Sequence, residues 1–125
     1  MQFDTSSPIW LQLIDEFTRR IVTGQWPAGS RIPGVRDLAG ELKVNPNTVQ
    51  RALAELERQG LARSERTSGR YVTDDTVAID DARLDLATAA ADDFTIRARG
   101  LGMSLTAARD LLSRRWSAPP EGSST

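Results

Sequence analysis

Two short amphipathic patterns, joined by only two residues, constrain the fold of this 125-residue chain more than any other feature. Apolar residues recur at helical spacing from Val35 to Leu42, and again from Val49 to Leu56. The connector between the two predicted helices is Lys43-Val44. Helices on either side of so short a turn are typical of a helix-turn-helix unit.

The second of these helices carries its own start and stop signals. Asn45 can cap its N-terminus, Pro46 suits the first turn, and Gly60 suits the position after its C-terminus. We therefore expect a helix from Asn45 to about Gln59. Its predicted buried face consists of Val49, Ala52, Leu53 and Leu56.

The flanking segments predict a winged helix-turn-helix domain over residues 1–74. A first helix is expected from about residue 8 to 24, with Pro8 as its first residue, Ser6 or Ser7 as its cap and Gly24 at its end. Arg31-Ile32 is expected to form a short strand that ends at Pro33. Two further strands are expected around 61–63 and 70–72, with the turn "ERTSG" between them.

Residues 75–117 predict a two-helix segment. Helical apolar spacing runs from Ile79 to Leu101 and from Leu105 to Trp116, with a break at Gly100 and Gly102 and a cap at Ser104 or Thr106. We interpret this segment as a dimerisation module; the alternative is a helical cap that folds back on its own domain. Residues 118–125 are expected to be a disordered tail. The predicted interface residues are Leu86, Ala90, Phe94, Leu101, Leu105, Leu112 and Trp116.

Composition argues against several function classes. The chain has no cysteine and no histidine, so thiolate and imidazole metal ligands, disulfides and the commonest general base are all missing. It shows no nucleophile–base pair and no phosphate-binding loop, so we expect neither an enzyme nor a bound cofactor or metal. The sequence shows neither a signal-peptide layout nor a long apolar run, which predicts a soluble, cytoplasmic protein with no membrane partner.

Charge is unevenly distributed along the chain, although the net charge is only −1. Residues 28–73 carry eight basic and five acidic side chains, whereas residues 74–125 carry six basic and nine acidic ones. A basic middle segment favours a nucleic-acid partner. Ordinary surface variation is the alternative explanation.

The start of the helix at Asn45 has the residue types that read base edges in a major groove. Amides of Asn and Gln can bind adenine, Arg can bind guanine, and Thr or Pro can contact the thymine methyl group. The alternative is that Asn45 is only a cap and that its neighbours are solvated surface. The residues concerned are Asn45, Pro46, Asn47, Thr48, Gln50 and Arg51.

The stretch "PAGSRIPGVRDLAGELKVNPNTVQRALAELERQGLARSERTSGRYV" resembles the DNA-binding domain of the GntR family of bacterial transcription regulators. The resemblance covers about residues 8–73, and the short helical C-terminal part looks like that of the YtrA-type subfamily. It implies a homodimeric repressor that binds a double-stranded DNA operator.

The resemblance also implies roles for individual residues. Arg36 matches a family arginine at the groove edge, Asn47, Thr48 and Gln50 match recognition positions, and Gly69 and Arg70 match the wing tip. Two positions depart from the family: Gly34 replaces a capping serine, and Thr67 replaces the first wing glycine. The second departure leaves Arg66 and Arg70 as the wing's phosphate contacts. The full predicted DNA-binding set is Arg36, Asn45, Pro46, Asn47, Thr48, Gln50, Arg51, Arg66, Ser68, Gly69 and Arg70.

Three other arginines are expected in ion pairs. Arg31 could contact a phosphate or pair with Glu41 or Asp37, and Arg58 and Arg63 are expected to pair with Glu55 or Glu57.

Together with this resemblance, which implies a repressor, the sequence leads us to expect a protein that binds an inverted repeat and occludes a promoter. A winged helix used for protein–protein contact is the alternative function, and an unidentified small-molecule effector is left open.

Overall fold

The computed structural model describes residues 1–118, so the expected tail lies outside the described residues except for Ala118. The described chain is mainly helical with one small antiparallel sheet, as the sequence predicts. It divides into two compact units, Met1–Leu86 and the chain from Ala87 onward. The elements in order are α1 (Ile9–Val22), α2 (Val35–Leu42), α3 (Pro46–Arg58), β1 (Ala62–Glu65), β2 (Gly69–Val72), α4 (Thr76–Gly100) and α5 (Leu105–Ser117).

The first unit is built around one apolar core beneath α1, α2, α3 and the sheet. Its most deeply buried side chains include Leu13 and Phe17 of α1, Leu38 of α2 and Leu53 of α3. Full burial of such a side chain contributes about 1.5–3 kcal/mol, so these contacts hold the three helices in a fixed arrangement. The buried face of α3 is Val49, Ala52, Leu53 and Leu56, which confirms the prediction.

Helix α1 begins one residue later than expected. Pro8 is its N-cap rather than its first residue, and no side chain caps the helix. Ser6 donates its backbone N–H and its hydroxyl to the carboxylate of Asp4. Its hydroxyl is therefore engaged away from the helix and does not cap α1. The helix ends at Val22, followed by Gly24 in the left-handed region (φ 80°).

The connector and the ends of α3 follow the predicted local chemistry. Lys43 adopts a left-handed conformation (φ 57°), which lets the chain turn within two residues. Asn45 caps α3 because its side-chain oxygen accepts the backbone N–H of Asn47 at 2.8 Å. At the other end Gly60 has φ 82°, and the N–H of Leu61 reaches the carbonyl of Leu56, which closes the helix.

The sheet is a two-stranded wing. Its register pairs Ala62 with Val72 and Ser64 with Arg70. The expected strand at Arg31-Ile32 is wrong: Arg31 forms only an isolated bridge to Tyr71. Pro33 has no N–H to extend the pairing, so the bridge does not grow into a strand.

The first turns of α4 belong to the first compact unit. Ile79 and Ala82 are buried in its core, and the guanidinium of Arg83 donates to the carbonyl of Val22 at 2.8 Å. Asp75 caps the start of the helix by accepting the backbone N–H of Val77. This unit therefore continues past residue 74, where the sequence predicted the end of the winged domain.

The second unit contains the rest of α4 together with α5. Gly102 (φ 79°) allows the turn between the helices, and Ser104 caps α5 by accepting the N–H of Ala107. Both features confirm the prediction, which left the cap open between Ser104 and Thr106. Within residues 1–118, no helix is long and apolar enough to cross a membrane.

Candidate nucleic-acid interface

The outward face of α3 is exposed and mostly polar. Residues spaced by three or four positions share a helix face, so Asn47, Arg51 and Ala54 lie opposite the buried face, with Gln50 beside them. All four are exposed. No hydrogen bond engages the side-chain amides of Asn47 and Gln50 within the described chain. Both amides are therefore available to an external donor–acceptor pair.

The other predicted positions of the first turn have different environments. Asn45 is exposed, but its side-chain oxygen already serves as the cap, while Pro46 is exposed and Thr48 is half-buried. Sequence reasoning missed Ala54. Ala54 lies seven residues after Asn47 and four after Gln50, and this helical spacing could have predicted that its methyl group is on the exposed face.

A stacking contact holds Arg51. Its guanidinium carbon lies 3.7 Å from the ring centroid of Trp10, which is within the range of a cation–π contact. Trp10 is on the first turn of α1, so this helix restricts the position of a side chain on the outward face of α3. The sequence predicted neither the contact nor the role of Trp10, because the two residues are far apart in the chain.

Helix α2 presents Arg36 in its first turn. The side chain is exposed and makes no ion pair within residues 1–118. The N-cap of α2 is Gly34, which supplies no side-chain hydrogen bond. Because glycine replaces the capping serine of the family at position 34, the start of α2 beside Arg36 has no side-chain cap.

A buried arginine fixes α2 against α1. Arg20 donates to Glu41 of α2 at 2.6 Å and to Glu16 at 2.8 Å, and its guanidinium carbon lies 5.4 Å from the ring centroid of Trp26. The hydrogen bond from Arg20 lowers the pKa of Glu41 below its usual value. Glu41 pairs with Arg20 and not with Arg31, so the Glu41 partner that was one alternative for Arg31 is not found.

The wing tip is exposed at Arg66, Thr67 and Ser68. Gly69 follows with φ 113°, a conformation that L side chains rarely adopt, and a Cβ there would lie 2.9 Å from Nε of Arg31. The backbone angle therefore favours glycine at this position, while the flexible end of the Arg31 side chain would have to shift for any larger residue. Within the described residues Arg31 forms no ion pair, with Asp37 or any other residue.

Arg70 lies under the wing rather than at its tip. Side chains alternate along a strand, so Arg70 shares the inward face with the fully buried Val72. Its Nε lies 2.5 Å from a carboxylate oxygen of Glu57 on α3, and its side chain is only 17% exposed.

The remaining arginine ion pairs are partly as predicted. Arg58 pairs with Glu55, which confirms the prediction. Arg63 was expected to pair with Glu55 or Glu57, and this is wrong: it pairs with Glu65 at 3.2 Å and Asp74 at 3.4 Å. The alternation of β1 directs Arg63 to the face of the wing that points away from α3.

The second unit contains an apolar groove of about 620 Å³ between α4 and α5. Ala90, Phe94, Leu105, Leu112 and Trp116 line it, and all five belong to the predicted dimer interface. Two other predicted interface residues lie elsewhere: Leu101 is 80% exposed in the connection and does not line the groove, and Leu86 belongs to the first unit.

Several large apolar side chains around the groove are open to solvent. Leu105 is 70% and Trp116 is 89% exposed, and groups of exposed apolar residues mark interaction surfaces.

Within residues 1–118, no three acidic, His or Cys side chains are close enough to hold a metal ion.

Residues 11–72, which run from within α1 to the end of β2, match the family described as bacterial regulatory proteins, gntR family. The HTH-type transcriptional regulator YhcF of Bacillus subtilis is 33% identical over 103 residues, which cover 82% of this chain and 85% of that protein. The chain belongs to the GntR family. It is a DNA-binding transcription regulator with a winged helix-turn-helix, and not an enzyme.

Other GntR relatives support the same assignment. The HTH-type transcriptional repressor YtrA of Bacillus subtilis is 37% identical over 70 residues, 56% of this chain and 54% of that protein. A GntR family transcriptional regulator from Listeria monocytogenes has a similar structure, with 35% identity, a TM-score of 0.78 and coverage of 90% of this chain and 98% of that chain.

A protein–DNA complex is among the similar structures. The N-terminal domain of AraR in complex with the mutant DNA ORR3 has a TM-score of 0.52 and 26% identity, and covers 56% of this chain and all of that chain. The resemblance inferred from the sequence is confirmed by these findings.

Proposed function

We propose that this GntR regulator is a homodimeric, cytoplasmic repressor that reads an inverted-repeat operator and occludes a promoter. The observation that carries the proposal is the outward face of α3, where Asn47 and Gln50 present free amides beside Arg51. A face used for protein contact would instead present exposed aromatic or aliphatic side chains.

Each residue on this face has a matching partner in the major groove. The amides of Asn47 and Gln50 can bind adenine through its N6 and N7, and the Ala54 methyl group can contact a thymine methyl. Arg51, held by Trp10, can reach guanine or a phosphate with little loss of side-chain freedom.

Phosphate contacts then fix the orientation of α3 on the duplex. Arg36 lies at the start of α2 and Arg66 at the wing tip, and both are exposed and without an ion pair in the part of the chain that the structure describes. Ser68 and Gly69 follow Arg66 in the wing turn and would bring wing backbone close to the duplex. Phosphate contacts of this kind position a protein on DNA, whereas base contacts select the sequence.

The groove of the second unit supports dimerisation. A second copy of the chain would cover Leu105, Leu112 and Trp116, which are exposed in a single copy. A twofold dimer presents two α3 helices in opposite directions, so its operator is an inverted repeat. The groove volume also lies in the range of small-molecule sites, so an unidentified effector is compatible with this arrangement.

Repression follows from occupancy. One relative, YtrA, is named a transcriptional repressor, and a dimer on a promoter excludes other proteins without any further activity. The protein–protein alternative makes the opposite prediction, because it requires no preferred DNA sequence.

Substitution of Gln50 tests the reading role. Gln50→Ala should weaken binding to a duplex selected by the wild-type protein by about 1–3 kcal/mol, and should relax the preference at one position of each half-site. Gln59→Ala is the matched control, since Gln59 is an exposed amide just after the last residue of α3. Equal binding and unchanged preference for Gln50→Ala would refute the role of this residue.

A further inference from the structure

The recognition helix and the wing are joined by one cluster of three side chains. The carboxylate of Glu57 on α3 accepts Nε of Arg70 at 2.5 Å and also accepts the hydroxyl of Ser64. The strand register places Ser64 directly opposite Arg70, so both donors approach from the same face of the wing. We refer to Glu57, Ser64 and Arg70 as the wing brace.

Two members of the brace, Arg70 and Glu57, are partly shielded from solvent, while Ser64 is exposed. The side chains of Arg70 and Glu57 are 17% and 31% exposed, whereas the tip residues Arg66 and Ser68 are exposed. Burial raises the pKa of Glu57, but the hydrogen bonds from Arg70 and Ser64 outweigh it and lower the pKa below its usual value. Glu57 is therefore ionised at neutral pH and holds both donors.

The position of the brace along α3 links it to the reading face. Glu57 lies seven residues after Gln50, so the two side chains leave the same side of the helix, two turns apart. Any rotation of the wing about this contact changes the distance between its tip and the base edges that Gln50 would reach.

We infer that the wing brace positions the wing relative to α3, so that the wing tip and the reading residues engage one DNA site together. Arg70 acts in this role through Glu57, as a positioning residue, and not as a phosphate ligand. The inference rests on the proposed operator binding. A competing arrangement is that Glu57 masks Arg70 until a DNA phosphate displaces it.

The sign of one substitution separates the two arrangements. Removing the carboxylate in Glu57→Ala leaves the wing free, so the brace predicts weaker binding, by about tenfold, although a negative charge has been lost. Masking predicts tighter binding, because Arg70 is released. Glu55→Ala is the matched control, since Glu55 lies on the same helix and pairs with an exposed arginine away from the wing.

The experiment measures dissociation constants for a fluorescent duplex selected by the wild-type protein, over a series of salt concentrations and well below the unfolding temperature of each variant. Glu57→Ala and Arg70→Ala should weaken binding to similar extents, with the salt slope unchanged. The charge-reversed double variant, Glu57→Arg with Arg70→Glu, should regain most of the lost affinity. Glu55→Ala should remain within about twofold of the wild type.

Three results would overturn the inference. The first is tighter binding by Glu57→Ala, and the second is a fall in the salt slope of about 0.9 for Arg70→Ala, which would make Arg70 a phosphate contact. The third is wild-type affinity in both single variants, which would make the brace irrelevant to binding. A wild-type protein that selects no duplex would refute the proposed operator binding itself, and the role of the brace with it.

Discussion

A charge placed in the apolar groove tests dimerisation without harming the fold of a single copy. Leu105 is 70% exposed and is the first residue of α5, where a carboxylate interacts favourably with the helix N-terminus. Leu105→Glu should therefore leave the folded monomer intact. In the proposed dimer, the same substitution would place a charge where a second copy covers the groove.

The size of the effect follows from the exposed area. Full burial of a leucine contributes about 1.5–3 kcal/mol, so covering the 70% that is exposed contributes about 1–2 kcal/mol per copy. A twofold interface contains the residue twice, which gives about 2–4 kcal/mol for the dimer. The dimer dissociation constant should then rise by about 30- to 1000-fold, before any cost of burying the carboxylate.

Val77→Glu is a matched control. Val77 is 64% exposed and lies in the first turn of α4, in the first compact unit and outside the groove. Sedimentation velocity over a concentration series measures the dimer dissociation constant of each protein. Binding to a selected duplex with one or two half-sites reports the consequence for DNA recognition.

Leu105→Glu should sediment as a monomer at concentrations where the wild type and Val77→Glu are dimers. It should also bind a duplex with two half-sites no more tightly than a duplex with one. A dimer of unchanged strength in Leu105→Glu would refute the assignment of the groove to dimerisation. Equal weakening by both substitutions would show that the effect comes from charge alone and not from the groove.

Three further outcomes concern stability, measured by urea or thermal unfolding. Arg20→Ala should lower the free energy of unfolding by about 2–3 kcal/mol, because it removes two ion pairs and buried packing. Glu41→Gln should lower it by under about 1 kcal/mol, because the Glu41 side chain is half exposed. Equal losses in the two variants would contradict this. Lys43→Gly should raise stability by about 0.5–1 kcal/mol by relieving the left-handed lysine, and a loss would contradict it. The free energy of unfolding should be nearly constant from pH 6 to 8, since the chain has no histidine. It should fall as the pH drops below about 4.5, because Glu41 and Glu57 have lowered pKa values in the folded state. A change in stability centred near pH 6.5 would contradict this.

Features set by neighbouring residues could be predicted from the sequence. The cap at Asn45, the turn at Gly60 and the cap at Ser104 depend on contacts within a few residues, and all three are as expected. The start of α1 is the exception, because Asp4 engages Ser6 before it can act as a cap.

Contacts between distant segments could not be predicted from spacing. The stacking of Arg51 on Trp10 joins α3 to α1, and the ion pair of Arg70 with Glu57 joins the wing to α3. Both residues appear in the sequence simply as basic side chains near a reading helix. Whether each faces DNA, a ring or a carboxylate depends on packing that brings separate elements together.

Selection of bound duplexes from a random pool by the 125-residue chain, at about physiological salt, tests the central claim most directly. A sequence-specific dimer should enrich an inverted repeat, and the Gln50→Ala variant should lose the preference at one position in each half-site. Enrichment of a single asymmetric site would contradict the dimer, and salt-sensitive binding with no enriched sequence would contradict operator recognition altogether.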